Sequence, residues 1–364
     1  MTDLDLAQAR VLFRGDRLAE ARMARGLKKL DIAKAVGITP AAVGQYERGD
    51  IRPSTDVLIR LSEVLRFSPS FFVSGPRSID LSENRIHFRR LRSASSRVKG
   101  MQVARLALLE EIVERLERRV IFPPIAIEQM PVGRGDRSEI ETLAASVRAA
   151  WGIGEGPISN IVMLIESMGA VVTRSPVDST AIDAYSTWSG GRPIIVLTSD
   201  KQDAARSNFD AAHELGHLVM HPDADPGSTL VEQQAHVFAS AFLLPAASIR
   251  PELPRRFDLA AYAELKRRWR VSIQALLYRA HTLGVLSDPA YRRAMSRICL
   301  WGWLTGEPYS LGHADEPTLI RAALELLQAD EVGAGEVLSK DTGIPEDIIA
   351  SLLPMVRTRH ALLQ

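Results

Sequence analysis

Two histidines four residues apart, with a glutamate beside the first, carry the strongest chemical signal in this chain: Ala212-His213-Glu214-Leu215-Gly216-His217. On a helix, residues i and i+4 share a face, so both imidazoles project the same way. Two nitrogens at that spacing can reach one Zn²⁺ at about 2.0–2.1 Å. Glu214 then lies where it can accept a proton from water, and an H-E-x-x-H helix points to metal-assisted hydrolysis. A catalytic zinc needs a third protein ligand and one open position. Glu232, 15 positions after His217, is the expected third ligand, because that interval accommodates a turn and a returning helix. It falls one turn before Ala235 on the apolar stripe Ala235, Phe238, Ala239 and Phe242, and a carboxylate buried there needs a cation. His236 and His221 are the alternatives. His236 falls off the inner stripe, and His221 lies a further turn beyond His217.

Several elements must position these groups. Gln202 to His221 and Leu230 to Leu244 read as helices, the second stopped by Pro245. Ala170 to Arg174, Ala181 to Trp188 and Pro193 to Thr198 read as short strands. Ser189-Gly190-Gly191-Arg192 forms the hairpin turn between the last two. Ser138 and Glu141 form a capping box for a helix continuing through Ile140, Leu143, Val147 and Trp151. A further helix spans 158–168. The strand ending at Trp188 offers an edge for an extended peptide. Tyr185 is a candidate oxyanion donor, and Arg206 a candidate anchor for a carboxylate.

The first 75 residues read differently. Short amphipathic helices are punctuated by Gly37 and by Gly49-Asp50, with Thr39 as an N-cap before Pro40, and another helix follows Ser54. Pro69 to Pro76 punctuates the chain. Residues 77–99 look like an exposed Arg- and Ser-rich arm, and Met101 to Val120 like a strong helix whose Leu106, Leu109, Ile112, Val113 and Leu116 stripe packs against a neighbouring domain or a second subunit. The region after Phe257 is largely helical, with Trp301, Trp303 and Leu304 expected in its core and Cys299 beside them.

The segment LKKLDIAKAVGITPAAVGQYERGDIRPSTDVLIRLSEVL, Leu27 to Leu65, resembles the helix-turn-helix of the Xre/lambda-repressor family. The resemblance implies an all-α DNA-binding domain whose third helix presents Thr39, Pro40, Ala41, Ala42 and Gln45 to the major groove. Gln45 suits the bidentate amide contact to adenine. Lys28, Lys29, Thr39 and Arg48 suit phosphates. Lys29 stands where that family often has Gln. The segment from about Ile182 to Pro245 resembles the ImmA/IrrE metallopeptidases, which are zincin-like. The matching pieces are Asp183-Ala184-Tyr185-Ser186, Arg192-Pro193-Ile194-Ile195, the helix around His213, and EQQAHVFASAFLLP from Glu232 to Pro245. His236 replaces the usual Asn, and Gln234 stands where many members carry Glu. Relatives cleave Xre-type repressors, so this resemblance implies a repressor protein, or the chain itself, as substrate.

Charge agrees with this division. Residues 1–100 hold 19 basic and 11 acidic side chains, a net of +8, whereas the whole 364-residue chain carries +1. A basic quarter on an acidic remainder suits a polyanion partner at one end. One cysteine cannot form an internal disulfide. No apolar run approaches the roughly 18 residues of a membrane span, and Met1 to Gly15 lacks a signal-peptide core. These features suggest a cytoplasmic, nucleoid-associated location. The expected architecture is mainly α with a small β-sheet (α+β). Its parts are a lambda-repressor-like helix-turn-helix at 14–75, a basic linker and helix at 76–124, a zincin-like domain at 138–250 and a helical C-terminal region at 251–364. The expected function is a regulator that binds double-stranded operator DNA, as a possible homodimer, and carries a Zn²⁺ metallopeptidase. The alternative is a non-catalytic regulator whose zincin-like domain senses a signal or dimerises.

Overall fold

The computed structural model describes residues 11–75, 81, 87–88, 95–175, 184–199, 203–222, 228–304, 306–327 and 331–354. Two units emerge. One is Met1–Ile86, Arg90–Phe122 and Ile320–Gln364; the other is His87–Arg89 and Pro123–Leu319. The helix expected within a linker therefore folds into the first unit, and the C-terminal region is shared between the two.

In the first unit, α1 (Gly15–Ala24), α2 (Lys29–Val36), α3 (Pro40–Arg48) and α4 (Thr55–Leu65) form the N-terminal bundle. Their ends follow local chemistry. Gly37 closes α2 in the left-handed conformation at φ +75°, and Gly49 closes α3 at +74°. The hydroxyls of Thr39 and Ser54 accept the backbone N–H groups of Ala42 and Val57, which opens α3 and α4. Leu18, Ala21, Ile32, Ala33, Val43, Leu58 and Leu61 are buried between them. Pro69–Val73, expected only as punctuation, forms a 3₁₀ turn that buries Phe71 and Phe72. Helix α5 (Ser96–Glu117) starts earlier than expected and packs its apolar stripe on α1 of its own unit. Most of the arm expected over 77–99 lies outside the described residues.

Between α1 and α5 sits a charged cluster. Arg17 Nη1 donates to Glu20 Oε2 at 2.7 Å, and its Nη2 lies 2.8 Å from Glu111 Oε2. All three side chains are fully buried. Burial without water pushes the Glu20 carboxyl up to about 8, against the pull of Arg17. Below about pH 4.5, Glu20 is protonated whether folded or not. Between about 4.5 and 8 the unfolded chain releases this proton and the folded chain keeps it, so stability falls as pH rises, and it levels off above about 8. Hydrogen exchange of the α1 amides is therefore expected to accelerate as pH rises from about 5 to 8, beyond the intrinsic chemical rate. Glu20→Gln should flatten that excess; an unchanged profile in the variant would refute the assignment.

The second unit begins with α6 (Arg137–Ala150). Its N-cap is Asp136, which accepts from the Glu139 amide, rather than Ser138. The expected Ser138–Glu141 capping box does not form, and Glu141 instead pairs with buried Arg279 at 2.7 Å. Helix α7 (Ile161–Ser167) leads into β2 (Val171–Ser175), and β3 (Ala184–Ser189) and β4 (Arg192–Thr198) make the hairpin. Gly190 and Gly191 take positive φ in its two-residue turn, as such turns require. The sheet runs β1-β3-β4-β2, where β1 is His87–Phe88; β2 is parallel to β4, and the other pairings are antiparallel. Residues 181–183, expected to start β3, lie outside the described residues. β1 pairs with Tyr185 and Ser186, so that part of β3 is not an open edge for a substrate strand.

Helix α8 (Ala204–Met220) packs against β3 and β4 on one side and α9 (Thr229–Leu243) on the other. Gly216 permits the close approach of the two helices, since a Cβ there would come within 3.0 Å of the Phe238 ring. The short α10 (Ala246–Ile249) follows, and α11 (Leu259–Trp269), α12 (Ile273–Thr282) and α13 (Asp288–Leu300) complete the unit. Trp301 and Leu304, just beyond α13, are exposed rather than core, as is Cys299 in its last turn, while Trp303 is half-buried against the apolar interior. The chain is mainly helical with one small sheet. Among the described residues, no helix is long and apolar enough to cross a membrane.

Candidate metal centre and nucleic-acid interface

Helix α8 is buried on nearly every side because it is covered by both sheet and helix, and polar groups enclosed there must satisfy one another. His213, Glu214 and His217 are each 1% exposed. His213 Nε2 and His217 Nε2 lie 3.1 Å apart. From α9, Glu232 brings one carboxylate oxygen to 3.3 Å from His213 Nε2 and the other to 3.6 Å from His217 Nε2. Ligands at about 2.0–2.1 Å from a tetrahedral ion stand about 3.3 Å from one another. The separation of the two imidazole nitrogens and the approach of a carboxylate oxygen to each are close to that spacing. One atom from each residue lies within 4.8 Å of the others, and two His with one carboxylate is a donor set suited to zinc. These residues fit Zn²⁺, and they are the cluster that could hold a metal among the described residues.

The two rival ligands are placed elsewhere. His236 packs between Phe209 and Tyr278, with ring centroids at 4.9 and 4.8 Å. His221 stands behind His217, Nδ1 to Nδ1 at 3.2 Å, and its Nε2 lies 3.0 Å from Gln234 Oε1. Gln234 Nε2 donates to the carbonyls of Gly133 and Gly135 at 3.0 and 3.2 Å. An amide oxygen can only accept, so His221 donates from Nε2 and accepts on Nδ1. His217 must then donate from Nδ1, and its Nε2 lone pair faces His213 and Glu232. This relay fixes the tautomer needed for metal binding. Gln234→Leu is expected to weaken zinc about 10–100-fold in a competition titration against a chromophoric chelator. Affinity within twofold of the parent would show that the relay does not position His217.

Glu214 is not part of the three-ligand group. Ser186 Oγ donates to its Oε2 at 2.7 Å, which orients the carboxylate from β3. Sequence reasoning gave Ser186 no role, although it closes the matching piece Asp183-Ala184-Tyr185-Ser186 and shares a strand face with Ala184. Side chains alternate along a strand, so with Ser186 facing α8, Tyr185 faces the opposite side of the sheet. Tyr185 is buried on that other face. Arg206 donates to the Leu304 carbonyl and does not reach the group. A cleft of about 620 Å³ opens onto His213 and Glu232, with Arg137, Leu230, His236 and Tyr278 on its walls.

On the first unit, Pro40, Ala41, Gln45 and Arg48 of α3 are exposed, as are Lys28 and Thr39, while Ala42 is half-buried. Thr39 accepts the Ala42 amide at 3.1 Å and keeps its own proton to donate. Lys29 Nζ lies 3.0 Å from Glu47, which also binds Arg22, so its charge is partly spent within the fold. Arg48 pairs with Asp50 at 2.7 Å, both exposed.

Comparison with known proteins gives two family matches. Residues 18–72 match the helix-turn-helix family, and residues 165–281 match the IrrE N-terminal-like domain, Peptidase_M78. The first segment is also similar to two phage-related proteins. One is the repressor protein C2 of Salmonella phage P22, 28% identical over 20% of this chain and 32% of the repressor. The other is the SPbeta prophage-derived uncharacterized HTH-type transcriptional regulator YonR of Bacillus subtilis (strain 168), 34% identical over 19% of this chain and 65% of that protein. The chain thus covers less than two thirds of either relative. It carries an Xre-type helix-turn-helix domain and an IrrE N-terminal-like domain, and His213, His217 and Glu232 all fall in the latter.

Proposed function

We propose that this chain is a DNA-binding regulator whose IrrE-like domain is a zinc metallopeptidase acting on an Xre-type repressor or on the chain itself. The observation that carries the reading is the convergence of His213 Nε2, His217 Nε2 and the Glu232 carboxylate beside a separately held Glu214.

His213 and His217 would hold the ion through Nε2, and Glu232 through a carboxylate oxygen. When bound, zinc would supply Lewis acidity to the scissile carbonyl and lower the pKa of a water towards about 7. Glu214 accepts a proton from the attacking water on its carboxylate and delivers it to the leaving amine. Ser186 holds Glu214 in place through both steps. The His221–Gln234 relay keeps His217 in one tautomer. Incubation of the zinc-loaded protein with an Xre-type repressor, followed by intact-mass analysis, tests the reaction.

The same reading gives the first unit the task of delivery to operator DNA. Binding is expected to weaken steeply between 50 and 200 mM salt as phosphate contacts release counterions. Gln45→Ala should lower discrimination among operator sequences by about 1–3 kcal/mol. Arg48→Ala should weaken all sequences alike. Titration of labelled duplexes by anisotropy reads both effects, and sequence preference left intact by Gln45→Ala would contradict the assignment.

A further inference from the structure

The wall of the metal cleft carries a cation that the proposed reaction does not use. Arg137, the first residue of α6, is exposed. Its Nη2 donates to the Tyr278 hydroxyl at 3.1 Å, and its guanidinium lies 5.7 Å from the centre of that ring. Tyr278 meets His236 edge to face at 4.8 Å and 83°, and His236 rests on Phe209, one turn before His213 on α8. An aromatic column thus runs from α8 to the arginine, and its last ring and hydroxyl give the guanidinium a polar and a cation–π anchor. Among the described residues no carboxylate lies within 4.0 Å of Arg137. The guanidinium has five N–H donors in a planar fork, and the phenol takes one of them. Arg137, Tyr278, His213 and Glu232 line the same cleft.

We propose that Arg137, held by Tyr278, is a carboxylate-binding subsite of this cleft, so that the substrate presents an acidic group a short distance from the bond cut. The proposal deepens the peptidase reading and rests on it for the word substrate. A planar carboxylate matches two parallel N–H groups of a guanidinium, the strongest neutral-pH pairing available to a peptide. Such a carboxylate has two sources, an Asp or Glu side chain or the end of a peptide chain. The first makes the enzyme an endopeptidase with acidic preference; the second makes it trim C-termini.

The test reads binding rather than turnover. Probes are hydroxamates, which grip zinc, joined by a short acyl linker to a dipeptide amide with Asp, Asn or Lys at either position, plus the Ala-Ala probe as amide and as free acid. They are titrated calorimetrically into the zinc-loaded full chain. The Asp probe, or the free acid if the chain end is the group recognised, is expected to bind about tenfold tighter than its neutral counterpart, with Lys weakest. Arg137→Glu should reverse the order of Asp and Lys, which loss of packing alone cannot do. Tyr278→Phe should keep the order but reduce the preference to about threefold, because the ring remains and the hydroxyl anchor is lost. Equal affinity for all probes, no binding of any probe to protein carrying one zinc, or an order unchanged by Arg137→Glu overturns the subsite. Discrimination without hydrolysis leaves the subsite standing and removes the peptidase reading instead.

Discussion

Glu214→Gln is expected to lower peptide-bond hydrolysis by about 10²–10⁴-fold, the usual worth of a positioned acid–base group, with zinc content unchanged. The amide is isosteric with the carboxylate and can still meet the Ser186 hydroxyl that now holds Oε2 at 2.7 Å. What it loses is the ability to take a proton. Because Glu214 is not among the three grouped ligands, the substitution separates chemistry from metal binding, which no change at a histidine can do. Rates would be measured at matched zinc occupancy and compared with DNA affinity, which should not move. Equal hydrolysis by the two proteins would remove Glu214 from the reaction.

The second large effect concerns the metal. Protein purified without added metal should carry about one zinc per chain, and His213→Ala with His217→Ala should reduce this to near zero, since the carboxylate alone cannot hold the ion. Both histidines are buried within α8, so the helix pair loses stability as well. Circular dichroism on the same samples shows whether the variant remains folded. Full zinc in a folded double variant would place the metal elsewhere.

The parts of this site that could be read from sequence rest on the period of one helix or on the short interval to the next. His213 and His217 are four apart on a helix, and Glu232 is tied to the stripe of the next helix. Tyr185 shows how narrow that legibility is. A strand has period two, so a shift of one residue moves a side chain to the other face, and the group meeting α8 is Ser186. The His221–Gln234 relay was less accessible still, because it joins α8, α9 and the loop at Gly133–Gly135, and nothing local announces that closure. The same limit explains the N-cap of α6. Both Asp136 and Ser138 precede a suitable glutamate by three residues, and only the fold of the loop before them selects Asp136. Phe71 and Phe72 sit between residues that read as chain breaks, yet they fill the core of the first unit.

The central claim, that this chain binds zinc and uses it to cut a peptide bond, is tested most directly by intact-mass spectrometry of the zinc-loaded protein incubated alone and with Xre-type repressors encoded beside it. The account predicts a pair of fragments whose masses sum to the substrate plus one water, formed by the parent protein and about 10²–10⁴-fold more slowly by Glu214→Gln. Protein carrying one zinc per chain that leaves every such substrate, and itself, at full mass would contradict it.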